Sequence, residues 1–466
     1  MIKIPSPLPS SEEISKTDPN RDRIIDFLRA FSLLIVVFGH IFMAMVNWSN
    51  GVPEVGNIIA SSKNLQLLTW ILQVMPLFFF AGGASNAISW GRKSTQGYAT
   101  WLWGRASRLL RPLWVYLLIM APLAAISSLL LPMKSSAPLL LLTTQLLWFL
   151  GAYLVVISLA PLMFNLHKKA PILTLTLLVA LTAIIDFLRL ELNFPLYIGL
   201  INFVTVWLFA SQLGVWYVDG KLNNKIATLF AALGLLTNIM LVTVGPYPLS
   251  MVGMPGEKIS NMAPPTLALL AHTLWLCSLA KLLSPLISYL AHKVTLWRYV
   301  TAINLSAMTI YLWHLPILIS LSALEKFINK TAPILKTQNI ILPGENYWLW
   351  WSLHTLIFFT LLTILVRYLW VIENKKLFIW DKALHLRKPN KFFTLLTAGL
   401  GVLLTGISLL MLSATGLAGF PTRVITYAGV PLTSGAATLI LLLGAALVRY
   451  SGGQRINNNK LIIVAC

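Results

Sequence analysis

Twelve long apolar runs dominate the sequence and leave few folds open to it. They lie near residues 24–47, 65–90, 110–131, 139–165, 171–190, 197–218, 226–245, 266–288, 298–323, 347–371, 393–413 and 424–448. A helix of about 20 apolar residues crosses a hydrocarbon core of ~30 Å. The runs contain mostly leucine, isoleucine, alanine and phenylalanine without strict alternation, which favours helices over the strands of a β-barrel. The sequence therefore predicts an all-α polytopic membrane protein with about 12 transmembrane helices.

The composition excludes the other broad classes of protein. Charged residues make up 11% of the 466 residues, too few to cover the surface of a soluble domain. Two cysteines and a mean hydropathy of +0.78 exclude a disulfide-rich secreted scaffold and a disordered chain. The net charge of +21 comes mainly from basic residues between the apolar runs, which indicate cytoplasmic loops rather than a face for nucleic acid. We expect no nucleic-acid partner, and no metal, since the cysteines lack metal-ligand spacing.

Basic residues concentrate in alternate loops, and this distribution predicts the orientation of the chain. Lysine and arginine are frequent before the first run and after every second run through the tenth, and sparse in the other loops. By the positive-inside rule both termini are expected to be cytoplasmic, which an even number of spans allows. The predicted segments are a mobile cytoplasmic N-terminal tail (1–23), a ten-helix core (24–371), a basic cytoplasmic linker (372–392), two additional transmembrane helices (393–448) and a cytoplasmic tail (449–466).

Arg29 and His40 share one face of the first run. Eleven residues separate them, which places them within ~20° of three full helical turns and ~16 Å apart along the axis. Asp26 lies near the same face and can pair with Arg29 at i,i+3. A charged group at mid-bilayer costs at least ~2.5–3.5 kcal/mol, so these residues indicate a functional site. The alternative is an interfacial ion pair below a hydrogen-bonded core histidine.

Six polar residues from six different runs are expected at one depth, in the outer half of the membrane. Each depth follows from the number of residues that separate the side chain from the nearest loop, at ~1.5 Å per helical residue. The six residues are His40, Asp186, Asn202, His272, His314 and His354. Such a layer predicts a shared cavity that faces the extracytoplasmic side. Random placement, together with the preference of helix ends for polar residues, is the alternative.

Arg105, Arg108 and Arg111 recur every three residues at the cytoplasmic start of the third run, so they line one flank of a helix. Guanidinium groups bind phosphates bidentately, and this flank is a candidate phosphate site. The ordinary alternative is that the flank contacts the headgroups of membrane lipids.

Four motifs make the chain resemble the acyltransferase-3 family of integral membrane acyltransferases. They are Arg29 and His40 with ten residues between them, MPLFFFAGGAS at 75–85, RASRLLRPLWVY at 105–116 and MTIYLWHLP at 308–316. The resemblance covers about residues 20–371 and leaves out the last two runs. The sequence departs from the family pattern at two places. Ala81-Gly82-Gly83 stands where the family often has Ser-Gly-Phe, and the glutamate that many members carry after the tryptophan equivalent to Trp148 is missing. Both departures leave the identity of the acceptor open.

The resemblance implies a membrane-bound O-acyltransferase. It would move an acetyl or other short acyl group from cytosolic acyl-CoA to a hydroxyl of an extracytoplasmic glycan or lipid. His40 would be the general base, a role that requires neutral imidazole, and Arg29 and His314 would complete the catalytic set. The implied cofactor site for acyl-CoA is the flank of Arg105, Arg108 and Arg111.

The acceptor substrate is expected to bind to the remaining polar residues of the spans. These are Asp26, Asp186, Asn202, His272 and His354, with Asn202 also considered as an oxyanion donor. Membrane lipids and a carbohydrate or lipid acceptor are the expected partners, and the plasma or inner membrane the expected location. Two other interpretations are a multi-pass exporter of a cell-envelope glycan or lipid and a non-catalytic partner of a polysaccharide synthase.

Overall fold

The structure, a computed structural model, describes residues 6–43, 45–49, 52–93, 97–254, 257–331, 347–381 and 391–452. Helices account for nearly all of the regular structure in these ranges, and the sheet structure consists of two short antiparallel hairpins. Large apolar side chains such as Leu129, Ile172 and Leu236 are exposed on the outward faces of the helices, as lipid contact requires. The predicted all-α polytopic class is confirmed.

The helices follow the predicted runs, and several runs are broken into two helices. In chain order they are α1 (Ser11–Ser15), α2 (Arg23–Met43), α3 (Lys63–Leu72), α4 (Met75–Lys93), α5 (Tyr98–Leu130), α6 (Met133–Gln145), α7 (Leu147–Lys169), α8 (Pro171–Leu190), α9 (Asn202–Val218), α10 (Asn224–Thr243), α11 (Leu267–Leu282), α12 (Ser284–His292), α13 (Val294–Leu305), α14 (Ala307–Thr331), α15 (Tyr347–Asn374), α16 (Phe378–Asp381), α17 (Lys391–Thr415) and α18 (Ser434–Gly452). Short 3-10 helices cover Ile58–Ser61 and Leu196–Ile201. The hairpins are β1 (Met45–Ser49) with β2 (Val52–Gly56) and β3 (Val424–Tyr427) with β4 (Val430–Thr433).

The number of membrane-spanning segments agrees with the prediction. Within the described ranges, eleven helical segments are long and apolar enough to cross a membrane, and the pair α11 and α12 makes twelve if it is one bent span. The two helices of this pair meet at 55°. Pro285, at the start of α12, has no N–H group with which to continue the hydrogen bonding of α11, which accounts for the bend. The predicted ninth run is divided at Ser306, between α13 and α14.

Close backbone contact between α4 and α9 explains the glycines of the motif at 75–85. A Cβ atom on Gly83 would lie 2.1 Å from the carbonyl oxygen of Ser211, and one on Gly214 would lie 2.0 Å from that of Phe80. No side chain fits at either position, so both glycines serve helix packing, as small residues commonly do in membranes.

The two helices beyond the predicted core are attached to it by the same kind of contact. α17 and α18 form a hairpin, and α17 lies against α7. A Cβ atom on Gly151 of α7 would lie 2.6 Å from the carbonyl oxygen of Gly406 in α17. Ser408 donates a hydrogen bond of 2.7 Å to the carbonyl of Ala437 and joins α17 to α18.

The N-terminal segment, predicted to be a mobile tail, packs against α13. Ser10 and Glu13 form a capping box at the start of α1, and Ile14 is buried. Arg298 Nε donates a hydrogen bond of 2.9 Å to the carbonyl of Pro9. The predictions for residues 1–5, for 382–390 of the basic linker and for 453–466 of the C-terminal tail lie outside the described residues.

Gly151→Ala is expected to destabilise the protein by about 1–3 kcal/mol, the usual range for overpacking. The reason is the 2.6 Å approach of the added Cβ to the Gly406 carbonyl. The measurement is the thermal unfolding of the purified protein in detergent. Gly104→Ala is the matched control, since a Cβ at this helical glycine meets nothing within 4 Å. Equal melting temperatures for the two variants would contradict the close packing of α7 against α17.

Candidate functional site

Near the end of α2, His40 contacts His314 of α14. His40 Nδ1 and His314 Nε2 are 3.1 Å apart. His314 is fully buried, and its Nδ1 lies 3.1 Å from the carbonyl oxygen of Ile310, one helical turn earlier. The structure thus brings together two of the predicted catalytic residues, which are 274 positions apart in the sequence.

The contacts of His314 determine which ring nitrogens carry hydrogens when both imidazoles are neutral. A carbonyl oxygen can only accept, so the hydrogen of His314 lies on Nδ1 and Nε2 is left as an acceptor. His40 Nδ1 must then donate to that nitrogen, which leaves His40 Nε2 unprotonated. The arrangement therefore orients His40 and provides a lone pair on Nε2 that can take up a proton.

At the other end of α2, Asp26 is part of an ion pair. Its Oδ2 lies 2.5 Å from Nε of Arg21, which precedes the helix and folds back over its first turn. The expected partner was Arg29, which also acts electrostatically on this carboxylate. Asp26 is 14 residues from His40, or ~21 Å along the helix. This position fits a role in anchoring the start of α2 better than contact with an acceptor near His40.

Asp186 is the centre of a second polar cluster, which joins α8, α9 and the loop before α11. Its Oδ1 accepts hydrogen bonds from Asn202 Nδ2 at 3.1 Å and Arg189 Nη2 at 3.2 Å. Its Oδ2 accepts from the Tyr247 hydroxyl at 3.1 Å and from the backbone N–H of Leu267 at 2.7 Å. Burial and the nearby Asp186 carboxylate raise the pKa of Tyr247.

Protein donors thus occupy both oxygens of Asp186, which fits a structural role better than direct contact with an acceptor. The amide of Asn202 uses one of its two N–H groups to donate to Asp186, and its role as an oxyanion donor stays a prediction. Two members of this cluster, Arg189 and Tyr247, are not among the site residues predicted from the sequence. The i,i+3 spacing of Asp186 and Arg189 was a usable signal.

The other two residues of the predicted outer layer lie on α11 and α15. His272 is fully buried, and its Nε2 lies 3.3 Å from the carbonyl oxygen of Gln73, between α3 and α4. His354 is buried in α15. The six residues therefore comprise the His40–His314 pair, the Asp186–Asn202 pair, His272 and His354, and a common cavity stays a prediction.

The three arginines at the start of α5 differ in their availability to a ligand. Arg111 is buried and forms an ion pair with Asp381 of α16 at 2.8 Å. Arg105 is partly exposed and donates a hydrogen bond of 2.9 Å to the carbonyl of Ser85, while Arg108 is exposed. Arg111 therefore attaches α16 to α5, and Arg105 and Arg108 remain the better candidates for binding phosphate.

His167, which is not among the predicted site residues, is buried in the last turn of α7. Its Nε2 lies 3.1 Å from Asp219 Oδ2, and its Nδ1 lies 2.9 Å from Nε2 of Gln212. Hydrogen bonds from Lys221 and from His167 lower the pKa of Asp219. This cluster joins the ends of α7 and α9 and has no link to the His40–His314 pair in the described structure.

Comparison with known protein families identifies the class of the domain. A family model described as an acyltransferase domain matches residues 22–335, or 314 of the 466 residues. No curated protein and no solved structure matches the chain. The matched range includes His40, His314 and the arginines of α5, and it ends before α15.

Asp186→Asn is expected to lower the stability of the protein by about 3–5 kcal/mol, because it leaves the buried guanidinium of Arg189 without its counter-charge. The measurement is the thermal unfolding of the detergent-purified protein. Glu191→Gln removes an exposed carboxylate two residues from Arg189 and is expected to leave the melting temperature unchanged. A wild-type melting temperature for Asp186→Asn would show that the cluster contributes little to the fold.

Proposed function

This chain belongs to the acyltransferase-3 family, and we propose that it transfers an acyl group from acyl-CoA to a hydroxyl of an extracytoplasmic glycan or lipid. The observation that supports this reaction most directly is the 3.1 Å contact between His40 and His314, because it leaves His40 Nε2 as a free base. The long apolar helices support a multi-pass membrane protein, and we propose that it lies in the plasma or inner membrane.

In the proposed reaction, His40 Nε2 takes the proton of the acceptor hydroxyl as that oxygen attacks the thioester carbonyl carbon. General base catalysis of this kind contributes about 10²–10⁴ in rate. The tetrahedral intermediate then collapses and the carbon–sulfur bond breaks. The proton held by His40 passes to the sulfur of CoA, so the products are an O-acyl ester and CoA.

His314 is the proposed positioning residue for this step. While His40 is protonated, its Nδ1–H continues to donate to His314 Nε2, which accepts the hydrogen bond from the imidazolium. The hydrogen bond from His314 Nδ1 to the Ile310 carbonyl fixes the orientation of the His314 ring. Because His314 is buried within α14, the pair is held before substrate arrives.

The donor is proposed to bind below this pair. Arg29 lies on the same face of α2 as His40, eleven residues earlier, and would hold the pantetheine arm or a phosphate of acyl-CoA. Arg105 and Arg108 would bind the nucleotide phosphates where the donor enters. Arg111 is left out of this set because of its ion pair with Asp381.

His40→Ala or Arg29→Ala is expected to abolish acyl transfer while the protein still accumulates in membranes, since the first variant lacks the base and the second lacks a donor contact. The measurement is CoA release from acetyl-CoA by the purified protein with an extract of cell-envelope glycans and lipids as acceptor. Wild-type transfer by His40→Ala would refute the catalytic role. Acceptor movement without CoA release would favour the exporter instead.

Two substitutions at His314 provide the control for this test. His314→Gln keeps an oxygen that can accept from His40, whereas His314→Phe removes the acceptor. We expect kcat to fall by roughly 10²-fold in the Phe variant and clearly less in the Gln variant, with the KM for acetyl-CoA unchanged. Equal losses in both variants would contradict the positioning role.

Arg105→Ala combined with Arg108→Ala is expected to raise the Kd for acetyl-CoA at least about tenfold, because charge-assisted contacts to phosphate are lost. The measurement is calorimetric titration at fixed ionic strength. Arg92→Ala is the control, since it removes an exposed charge from the last turn of α4. An unchanged Kd in the double variant would indicate that these arginines contact lipid headgroups and do not bind acyl-CoA.

A further inference from the structure

An open pocket of about 590 Å³ lies where the ends of α9 and α11 meet the start of α10. The orientation predicted from the basic loops places these helix ends on the cytoplasmic side of the membrane. Its wall includes Tyr217 of α9, Lys281 of α11, and Asn223, Asn224 and Lys225 at the start of α10. Neither the histidine pair nor the arginines of α5 line it, so it is distinct from the sites proposed above.

A tight connection between α9 and α10 brings the two lysines to one pocket. Gly220, just after α9, has a φ of +73°, which glycine adopts without steric cost. The side chain of Asn223 then starts α10 by accepting a hydrogen bond of 3.0 Å from the N–H of Ile226. Because α10 packs against α11, Lys225 in the first turn of α10 lies at the same pocket as Lys281 in the last turn of α11.

Both lysines are available to a ligand. Lys225 is exposed and Lys281 is partly exposed. Neither has an ion-pair partner in the part of the chain that the structure describes. The Lys281 ammonium lies 5.8 Å from the centroid of the Tyr217 ring, a cation–π contact that keeps it at the wall of the pocket.

Two carboxylates near the pocket already have partners in the protein. Asp22 Oδ2 accepts a hydrogen bond of 3.0 Å from the Tyr217 hydroxyl. Asp219 pairs with Lys221 and contacts His167. Neither carboxylate lines the pocket, and the start of α10 adds the positive end of a helix dipole. The pocket therefore favours an anionic ligand.

The surface beside the pocket is apolar and faces outward from the bundle. Val218 at the end of α9, Leu229 one turn beyond Lys225, and Leu283 after α11 are all exposed. α10 itself is mostly exposed along its length. In a membrane such surfaces contact acyl chains. The pocket thus joins a basic wall to a lipid-facing surface, which fits a ligand with an anionic head and a hydrocarbon tail.

We propose that this pocket binds the headgroup of an anionic phospholipid from the cytoplasmic leaflet. The phosphodiester lies between Lys225 and Lys281, whose ammonium groups donate to its oxygens. The side-chain N–H groups of Asn223 and Asn224 add neutral donors. The acyl chains lie along the exposed face of α10. Basic pockets between helices on the cytoplasmic side of membrane proteins bind lipid headgroups in this way.

Other ligands match the pocket less well. A zwitterionic phospholipid also carries a cationic group, which the two lysines repel. A soluble phosphate compound presents the same anion but makes no use of the apolar surface beside it. Lipid binding at this pocket does not depend on the proposed reaction, so its test needs no measurement of acyl transfer.

The test titrates the full-length, detergent-purified protein with phosphatidylglycerol or phosphatidylcholine and measures bound lipid by native mass spectrometry. We expect phosphatidylglycerol to bind more tightly. Lys225→Ala combined with Lys281→Ala is expected to raise the Kd for phosphatidylglycerol at least about tenfold. Lys168→Ala combined with Lys169→Ala is the matched control and is expected to keep the wild-type Kd. It removes two exposed lysines from the end of α7 that do not line the pocket.

Two further variants separate charge from folding. Lys225→Arg combined with Lys281→Arg keeps both charges and is expected to bind like the wild type. Lys225→Ala alone changes an exposed position and is expected to raise the Kd as well. Thermal unfolding checks that each variant is folded. A loss of affinity in the arginine variant equal to that in the double alanine variant overturns the proposal, because it shows that charge does not hold the lipid.

Three other outcomes also overturn the proposal. Equal affinity for the two lipids shows that the pocket does not select an anionic headgroup. Equal Kd values for the double alanine variant and its control show only general attraction between lipid and cytoplasmic lysines. Displacement of phosphatidylglycerol by glycerol 3-phosphate or acetyl-CoA assigns the pocket to a soluble phosphate compound.

Discussion

A polar side chain inside a membrane protein must find its partner within the protein, since lipid offers none. This constraint accounts for the contacts on which the arrangement of the helices depends. The Asp186 carboxylate is satisfied by four protein donors from α8, α9 and the following loops. Arg111 reaches across 270 positions of sequence to Asp381. Close packing and interhelical hydrogen bonds both drive the association of helices in lipid, so these buried contacts add to the glycine packing in determining which helices lie side by side.

The sequence predicted the class and the number of spans because both follow from length and composition, which are local properties. The residue that each polar side chain contacts was harder to predict. The i,i+3 pairing of Asp26 with Arg29 is a rule for residues within a helix. The structure adds Arg21, from before the helix, as an ion-pair partner of Asp26, while Arg29 also acts electrostatically on this carboxylate. Depth estimates put His40 and His314 in one layer, and the structure brings the two side chains into contact. The estimates could not show that α2 and α14 are neighbours, because depth carries no information about position in the plane of the membrane.

The predicted depth of a residue in the membrane also carries little information about its role. The sequence assigns Asp186 and Asn202 to the acceptor because it predicts both in the outer half of the membrane, whereas in the structure Asp186 accepts hydrogen bonds from Asn202, Arg189 and Tyr247. Arg189, which is not among the predicted site residues, is buried and lies 3.2 Å from Asp186 Oδ1. A side chain whose hydrogen bonds are made within the protein supports the fold around a site, whereas a donor that a ligand can reach is a candidate for binding it. Only coordinates reveal that difference.

Under the proposed function, α2 is the most important helix, because it spans the membrane and carries both a donor-binding residue and the general base. The phosphates of CoA cannot enter the apolar bundle without a large desolvation penalty, so the nucleotide must stay near the arginines at the start of α5. The acyl group must then travel inward on the pantetheine arm to reach His40. Arg29 lies on the same helical face as His40, ~16 Å nearer the cytoplasm, which is where such an arm would pass. A rigid helix that carries both residues keeps this separation constant. α4, which packs against α2, is itself in close backbone contact with α9.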